Sequence, residues 1–429
     1  MVGEFMVKNY RNISVDRTML SKLNILIGPN GSGKSNFLRD LGFFAKVVQN
    51  KPRTSEGTTA LYETVSQNGW NRMLNFNALT AFIDFSWVLF PEGCMDPCQY
   101  KLKVHIGDNA VSQLDFYVAS EFLAYDNPHD DKSDAHCFLF KCHGKSPGVG
   151  YFATDNDAMG NNKMQDCRKL TIRNNEIAFL QLDELRDTDM DFDKSYRSVY
   201  AERTNGLSRY LSRFFTYSCS EFSLNQIKKP ANSGSTSFLA PDASNLANLL
   251  QQWRRESYDT TFSDYRAMIT PLFGELHPID IIIDPIPGTA EYLLGIGIRK
   301  QKYLMDDLSD GTIRAMIMAA LLVDRKEKMS VCTIDEPEMN LHPEWQSRFS
   351  DWLLRSKASQ QFFVSTHSPE ILDPLTSAFM DGELKVFVFS DAQSIVELAP
   401  NSMSELYNKG FNLGDLYRAK AIEIGGWPR

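Results

Sequence analysis

One octapeptide restricts this chain more than anything else in it: Gly28-Pro29-Asn30-Gly31-Ser32-Gly33-Lys34-Ser35. The apolar run Leu23 to Ile27 leads into it, and a helical pattern starts at about Lys34. Glycines let the backbone fold closely around a phosphate so that its N–H groups face the anion. The following helix adds its positive end. In that setting Lys34 reaches the β- and γ-phosphates and the Ser35 hydroxyl ligates Mg²⁺. A chance Gly-rich turn lacks this strand-before, helix-after context, so the loop reads as a nucleotide site with ATP and Mg²⁺ as cofactors. Asn30, Gly31, Ser32, Gly33, Lys34, Ser35 and Asn36 are its candidate contacts.

Three further segments belong with it. Val331 to Ile334 is an apolar strand ending in Asp335-Glu336-Pro337. Such a strand end puts one carboxylate beside the metal and a second beside the attacking water. Asp335 is therefore expected on Mg²⁺ and Glu336 as the general base. Leu308-Ser309-Asp310-Gly311-Thr312 opens a helix, with Ser309 well placed as its N-cap. Phe362 to Ser365 is another apolar strand, and His367 follows it. As the next strand end after the acids, it is where a γ-phosphate contact would sit.

The rest of the chain divides into an N-terminal half of an α/β lobe (1–153), a mainly helical insertion (154–275) and a C-terminal half (276–429). Strand-like runs at 4–10, 79–87, 100–106, 114–123 and 137–142 fill the first part, and 154–163 reads as an exposed loop. Helical patterns near 195–215 and 245–257 follow, then strands at 279–283 and 291–297. From about 311 onward, helices and strands alternate as a mostly parallel sheet requires.

At 429 residues the chain is longer than one core usually covers. It has no apolar run near the ~20 residues needed to span a bilayer. Its start carries Glu4 and does not read as a signal peptide, so a cytoplasmic location and no membrane partner are expected. The net charge of −9 argues against sequence-blind DNA binding. Arg209, Arg213, Lys228, Lys229, Arg254 and Arg255 read as solvated positions. Seven scattered cysteines do not suggest a disulfide framework. Cys94, Cys98, His136, Cys137, Cys142 and His143 contain enough ligands for zinc, but their spacing is loose and the text around Cys137 alternates like a strand. Core cysteines are the reading adopted.

The four motifs, in this order, resemble the ABC-type ATPases of the RecF, SMC and OLD group, and most of all the AAA-labelled bacterial ATPases within it. Pro241-Asp242-Ala243-Ser244-Asn245-Leu246-Ala247, Asn340-Leu341-His342-Pro343 and Leu413-Gly414-Asp415-Leu416 share the likeness. The resemblance implies an ABC-type P-loop ATPase head with a mixed sheet, interrupted by a β-rich and helical insertion. It implies a homodimer, or a higher even oligomer, with two ATP molecules sandwiched head to tail. The phosphate loop, Asp335, Glu336 and His367 of one subunit would hold ATP·Mg²⁺, while Ser309, Asp310 and Gly311 of the other close over the γ-phosphate. Asn340 would reach across the interface, and Arg11, in Tyr10-Arg11-Asn12, would lie near the base. The family's Mg²⁺-coupled glutamine has no obvious counterpart, since Gln67 and Gln99 only flank the expected strand. No nuclease module of the OLD kind is recognised within the 429 residues, so no nuclease activity is expected of them.

The favoured biology is a switch that controls a separate effector, a nuclease or a toxin, in anti-phage defence. A RecF-like ATPase binding DNA in repair or recombination is the alternative. A scaffold that barely hydrolyses ATP has no use for Glu336. A transporter motor would not carry so long an insertion between Ser35 and Leu308.

Overall fold

The computed structural model describes the whole chain except residues 51–57, 68, 70–71, 76, 93–96, 108–115, 126–137, 144–147, 153–166, 197–199, 257–259, 391–394 and 420–429. Cys94, His136, Cys137 and the expected loop at 154–163 lie outside the described residues. The chain forms two compact units: Met1–Ser21 with Asn30–Phe214 and Asp391–Ile395, and Lys22–Pro29 with Phe215–Ser390 and Val396–Arg429.

The first unit is built on an eight-stranded antiparallel sheet in the order β2-β1-β4-β5-β6-β7-β8-β9. These strands are β1 (Val2–Tyr10), β2 (Ile13–Met19), β4 (Phe82–Leu89), β5 (Cys98–Ile106), β6 (Phe116–Tyr125), β7 (Phe138–His143), β8 (Gly148–Phe152) and β9 (Arg168–Ile172). β5 and β8 alternate buried and more exposed residues along their whole length, as a sheet with one buried face requires, while β1 and β4 are buried on both faces over part of theirs. Phe5, Trp87, Tyr100, Leu123 and Phe140 form one buried cross-strand row. The helix Lys34–Leu41 lays Phe37 against Phe5, with ring centroids 5.4 Å apart, and this seats the phosphate-loop helix on the sheet.

The expected lobes at 1–153 and 154–275 do not coincide with this unit. Helices Ala178–Thr188 and Ala201–Ser212, read as part of an insertion, belong to the same core as the sheet. The Tyr125 hydroxyl donates to the Arg203 carbonyl at 2.9 Å, and the Tyr200 hydroxyl donates to the Leu139 carbonyl. A polar stretch in the sequence marks a surface connection, not the edge of a core. Cys98 and Cys142 are buried within the strands, as core cysteines.

The second unit contains a six-stranded sheet in the order β10-β15-β16-β3-β17-β18. Its strands are β3 (Leu23–Ile27), β10 (Phe214–Ser218), β15 (Val331–Asp335), β16 (Phe362–Ser365), β17 (Lys385–Phe389) and β18 (Ile395–Leu398). β15, β16, β3 and β17 run parallel, with Ile334 opposite Val364, Val364 opposite Ile25, and Ile25 opposite Val386. Their near-continuous apolar text is what a sheet covered on both faces needs. Helix Asp310–Leu322, buried from Ile313 onward, is part of the same core. A smaller antiparallel sheet joins β11 (Ala231–Asn232), β13 (Glu291–Ile298), β12 (Asp280–Pro285) and β14 (Gln301–Leu304).

Candidate nucleotide site

The parallel sheet brings its chemistry to one edge. Asp335, the last residue of β15, is opposite Ser365, the last residue of β16, and Ser365 is opposite Leu26 of β3. The carboxyl ends of the strands, including the one that enters the phosphate loop, therefore share one end of the sheet. Open α/β sheets bind ligands at such an end.

Asp335 is buried, and the Ser365 hydroxyl donates to its Oδ1. The chain then turns sharply. Glu336 has φ 54°, a left-handed conformation that costs a non-glycine residue free energy and clusters at functional sites. Its N–H donates to the Ser365 carbonyl at 3.1 Å and to Ser365 Oγ at 3.2 Å, so one residue holds both acids. Glu336 Oε1 is 3.8 Å from His367 Nε2. Both side chains remain partly exposed, at 36% and 26%, so a ligand can reach them.

Two residues support His367 that the motifs did not single out. Glu338 accepts from the His367 N–H at 2.6 Å and from Thr366 Oγ1 at 2.9 Å. Burial lifts the Glu338 carboxyl above its usual range, against the pull of the His367 amide. On the other side of the ring, the Tyr417 hydroxyl is 3.4 Å from His367 Nδ1. Burial and the charge of Glu338 push the Tyr417 hydroxyl up to about 12, so it stays a proton donor at ordinary pH.

The Ser309 segment forms the helix start expected of it. Ser309 Oγ accepts from Thr312 N at 3.1 Å. Asp310 pairs with Lys228 Nζ at 2.8 Å, and this contact holds its carboxyl below the usual range. Lys228 is therefore a partner of the segment, not a solvated side chain. Gly311 is needed for space. A Cβ there would lie 2.7 Å from the carbonyl oxygen of Asn340, itself in a left-handed turn at φ 57°. Ser309 and Asp310 remain exposed.

In the first unit, the turn between β1 and β2 grips the phosphate loop. Arg11 Nη1 donates to Asn36 Oδ1 at 3.1 Å, Asn36 Nδ2 to Asn12 Oδ1 at 2.6 Å, and Asn12 Nδ2 to the Gly31 carbonyl at 2.7 Å. This relay occupies Arg11 and Asn36, and it gives both a positioning role. Gly33, at φ 105°, packs so closely on Ile13 that a Cβ would collide with its Cγ2. Lys34 is buried, Ser35 is half-buried, and Asn30 and Gly31 are exposed.

The loop suits a phosphate. Ser32 Oγ is buried with no hydrogen-bond partner among the described residues. Gly33 offers the helix no capping side chain, and its first turn carries no acid. The donor set also suits Mg²⁺, which takes one or two protein oxygens beside phosphate oxygens and water. Ser35 in the first unit and Asp335 in the second each carry an oxygen of that kind. Gln67 ends helix Ala60–Gln67, exposed, and Gln99 lies within β5. Among the described residues, no helix is long and apolar enough to cross a membrane.

Comparison with known proteins agrees with this chemistry. The retron Ec83 probable ATPase of Escherichia coli is 26% identical over 157 residues, 34% of this chain and 28% of that protein. The retron Vc95 probable ATPase of Vibrio cholerae serotype O1 biovar El Tor is 34% identical over 77 residues, 18% of this chain and 15% of its own. The matched stretches thus span less than a third of those relatives. Among solved structures, an SMC head bound to the C-winged helix domain of ScpA covers 94% of this chain and 99% of its own, with 12% identity and a TM-score of 0.44. The SMC head domain of Thermotoga maritima covers 93% and 98%, with 13% identity and a TM-score of 0.36. The family model for the AAA ATPase domain (AAA_15) matches residues 1–372. The chain belongs to that family of ATPases.

Proposed function

We propose that this chain binds ATP·Mg²⁺ and hydrolyses it, that two copies complete each other's sites, and that the assembly controls a separate effector. The observation that carries the reading is the strand end Asp335-Glu336, with one acid anchored by Ser365 and the next facing His367 at 3.8 Å. A bound Mg²⁺ supplies charge to stabilise the phosphoryl oxygens. The protein's part is positional. Lys34 and the loop amides hold the phosphates, Ser35 and Asp335 take the metal, and Glu336 accepts a proton from the attacking water. His367 steadies Glu336 and contacts the γ-phosphate. The exposed Ser309 and the half-buried Gly311 beside it suit closure over a partner's nucleotide. The names of the retron relatives support a place in anti-phage defence, with a nuclease or toxin as effector.

The test is the mass of Glu336→Gln, by light scattering, with and without ATP·Mg²⁺, beside the same protein carrying Ser309→Arg. An ATP-dependent rise to an even oligomer, lost with Ser309→Arg at an unchanged melting temperature, supports the shared site. A mass that ignores ATP refutes it. The hydrolytic assignment fails separately if Glu336→Gln turns over ATP at the parent rate.

A further inference from the structure

The antiparallel sheet of the first unit has a second face, turned away from its aromatic core. The pairing registers place its outward residues in continuous rows. One row runs Met6, Ser86, Lys101, Phe122, Lys141, Tyr151, Lys169 across seven strands. Its last five members alternate lysine with an aromatic ring. The adjacent row runs Lys8, Asp84, Lys103, Ser120, His143, Val149, Thr171. Five lysines and one carboxylate thus share two rows, in a chain whose net charge is −9.

Little on this face neutralises the charge. Lys103 shares Asp84 at 3.2 Å and Lys8 reaches Asp16 at 3.2 Å, but Lys101, Lys141 and Lys169 pair with no carboxylate among the described residues. The rings lie among the charges. Lys101 Nζ is 5.5 Å from the centroid of Phe122. His143 stacks on Tyr151 with an interplanar angle of 17°, and His105 stacks on Tyr117 at 18°. Phe122, Tyr151 and Tyr117 are half-buried, so each has accessible ring surface while its rotamer is restrained. A depression of about 270 Å³ opens beside Lys101, Lys103, Phe122 and Lys141, with Asp84 and Glu121 also on its wall, so three lysines face two carboxyls there.

From this arrangement we infer that the outer face of the sheet binds single-stranded nucleic acid. Lysines about two strand spacings apart (~10 Å) match a polyanion lying across the strands. Rings interleaved with them give unpaired bases a surface to stack on, whatever their sequence. A duplex keeps its base faces stacked inside and would engage only the lysines. An anionic membrane would take up rings that protrude, whereas Phe122 and Tyr151 lie half-buried in the sheet and offer a flat stacking surface instead. The inference is independent of the ATPase reading, because no residue of the phosphate loop or of the acid pair takes part.

The test is fluorescence anisotropy with a labelled oligothymidylate of about 20 nucleotides, longer than the ~4–16 nucleotide footprint of typical single-strand sites. The parent protein binds it. With three unpaired lysines engaged, raising salt from about 50 to about 200 mM weakens binding roughly 20-fold, from a slope near −0.7 per phosphate. Lys101→Glu with Lys141→Glu abolishes binding. Tyr151→Ala weakens it about tenfold, the loss of one stacked base, with the salt slope unchanged. Each variant retains the parent's melting temperature and ATP turnover, so misfolding is read separately. The inference is overturned if the parent does not bind the oligonucleotide at low salt. It is also overturned if Tyr151→Ala binds as the parent does, or if a duplex of equal length or phosphatidylserine vesicles bind as tightly.

Discussion

Removing the hydroxyl of Tyr417 tests how the site holds its histidine. His367 has Glu336 Oε1 at 3.8 Å from Nε2 and the Tyr417 hydroxyl at 3.4 Å from Nδ1. A neutral imidazole carries one ring proton, and the neighbours decide where it sits. A lone pair on Nε2 would face a carboxylate, whereas an N–H there is attracted to it. That assigns the proton to Nε2 and makes Tyr417 the donor to Nδ1. At 3.4 Å the bond is long, and a neutral hydrogen bond of this kind contributes about 0.5–1 kcal/mol. Tyr417→Phe keeps the ring packed against the turn and loses only this term. The expected result is a roughly two- to fivefold fall in kcat for ATP hydrolysis, with KM and melting temperature unchanged. The decisive comparison is a cycle with His367→Ala. If the hydroxyl acts through the imidazole, Tyr417→Phe has no further effect once His367 is gone. An equal loss in both backgrounds, or none in either, refutes the reasoning. A parent that does not hydrolyse ATP refutes the function itself.

Three other perturbations follow from the geometry. Asn12→Ala removes the link between Asn36 and the Gly31 carbonyl; ATP affinity should fall about tenfold by calorimetry, and an unchanged Kd would deny the turn its grip on the loop. Gly311→Ala sets a Cβ 2.7 Å from the Asn340 carbonyl; overpacking of about 1–3 kcal/mol should lower the melting temperature, and an unchanged melt would show that the turn gives way freely. Burial pushes Glu121 up to about 7 despite hydrogen bonds from Ala178 N, Phe179 N and Tyr100. A folded pKa above the unfolded one means that the protonated carboxyl favours the fold. The contribution, about 3 kcal/mol, is complete below pH ~4.5 and lost as pH rises through ~7. Glu121→Gln should therefore flatten the fall in melting temperature between pH 5 and 8, and an unaltered slope would exclude Glu121 as its source.

What the sequence made legible was chemistry carried by neighbouring residues. The glycine-rich turn after β3, the acid pair at the end of β15 and the Ser309 cap are each spelled by adjacent residues, so they can be read in the text even though distant residues such as Ser365 and Asn12 hold them. Residues that act from a distance escaped notice. Tyr417 is fifty positions from His367, and Ser365 is thirty from Asp335. Neither pairing leaves a local signal. Glu338 is only two residues from Glu336, yet nothing in Asp-Glu-Pro-Glu says which carboxylate turns back to hold the histidine. Arg11 was expected near the base, but the turn that follows β1 gives its guanidinium to Asn36. β2 went unread because Val15, Asp16, Arg17 and Thr18 mix charge into an edge strand, where one side has no partner to bury it.

Net charge says little about one face of a folded protein. A total of −9 describes the field far from the protein, where all charges are summed. At physiological ionic strength that field decays over about 8 Å, less than two strand spacings. A bound polyanion therefore responds to the side chains directly beneath it. Lys101, Lys141 and Lys169 fall at positions 101, 141 and 169, too scattered to register as a basic run. Only the registers of the five strands β5 to β9 bring them into one line, with Phe122 and Tyr151 between them. Each strand alternates, so every second residue faces outward, and pairing decides which outward residues become neighbours. A one-residue slip of β7 would turn Lys141 inward and expose Phe140. The buried row through Tyr100, Leu123 and Phe140 opposes that slip. The same hydrophobic alternation that builds the core thus also aligns the lysines on the opposite face.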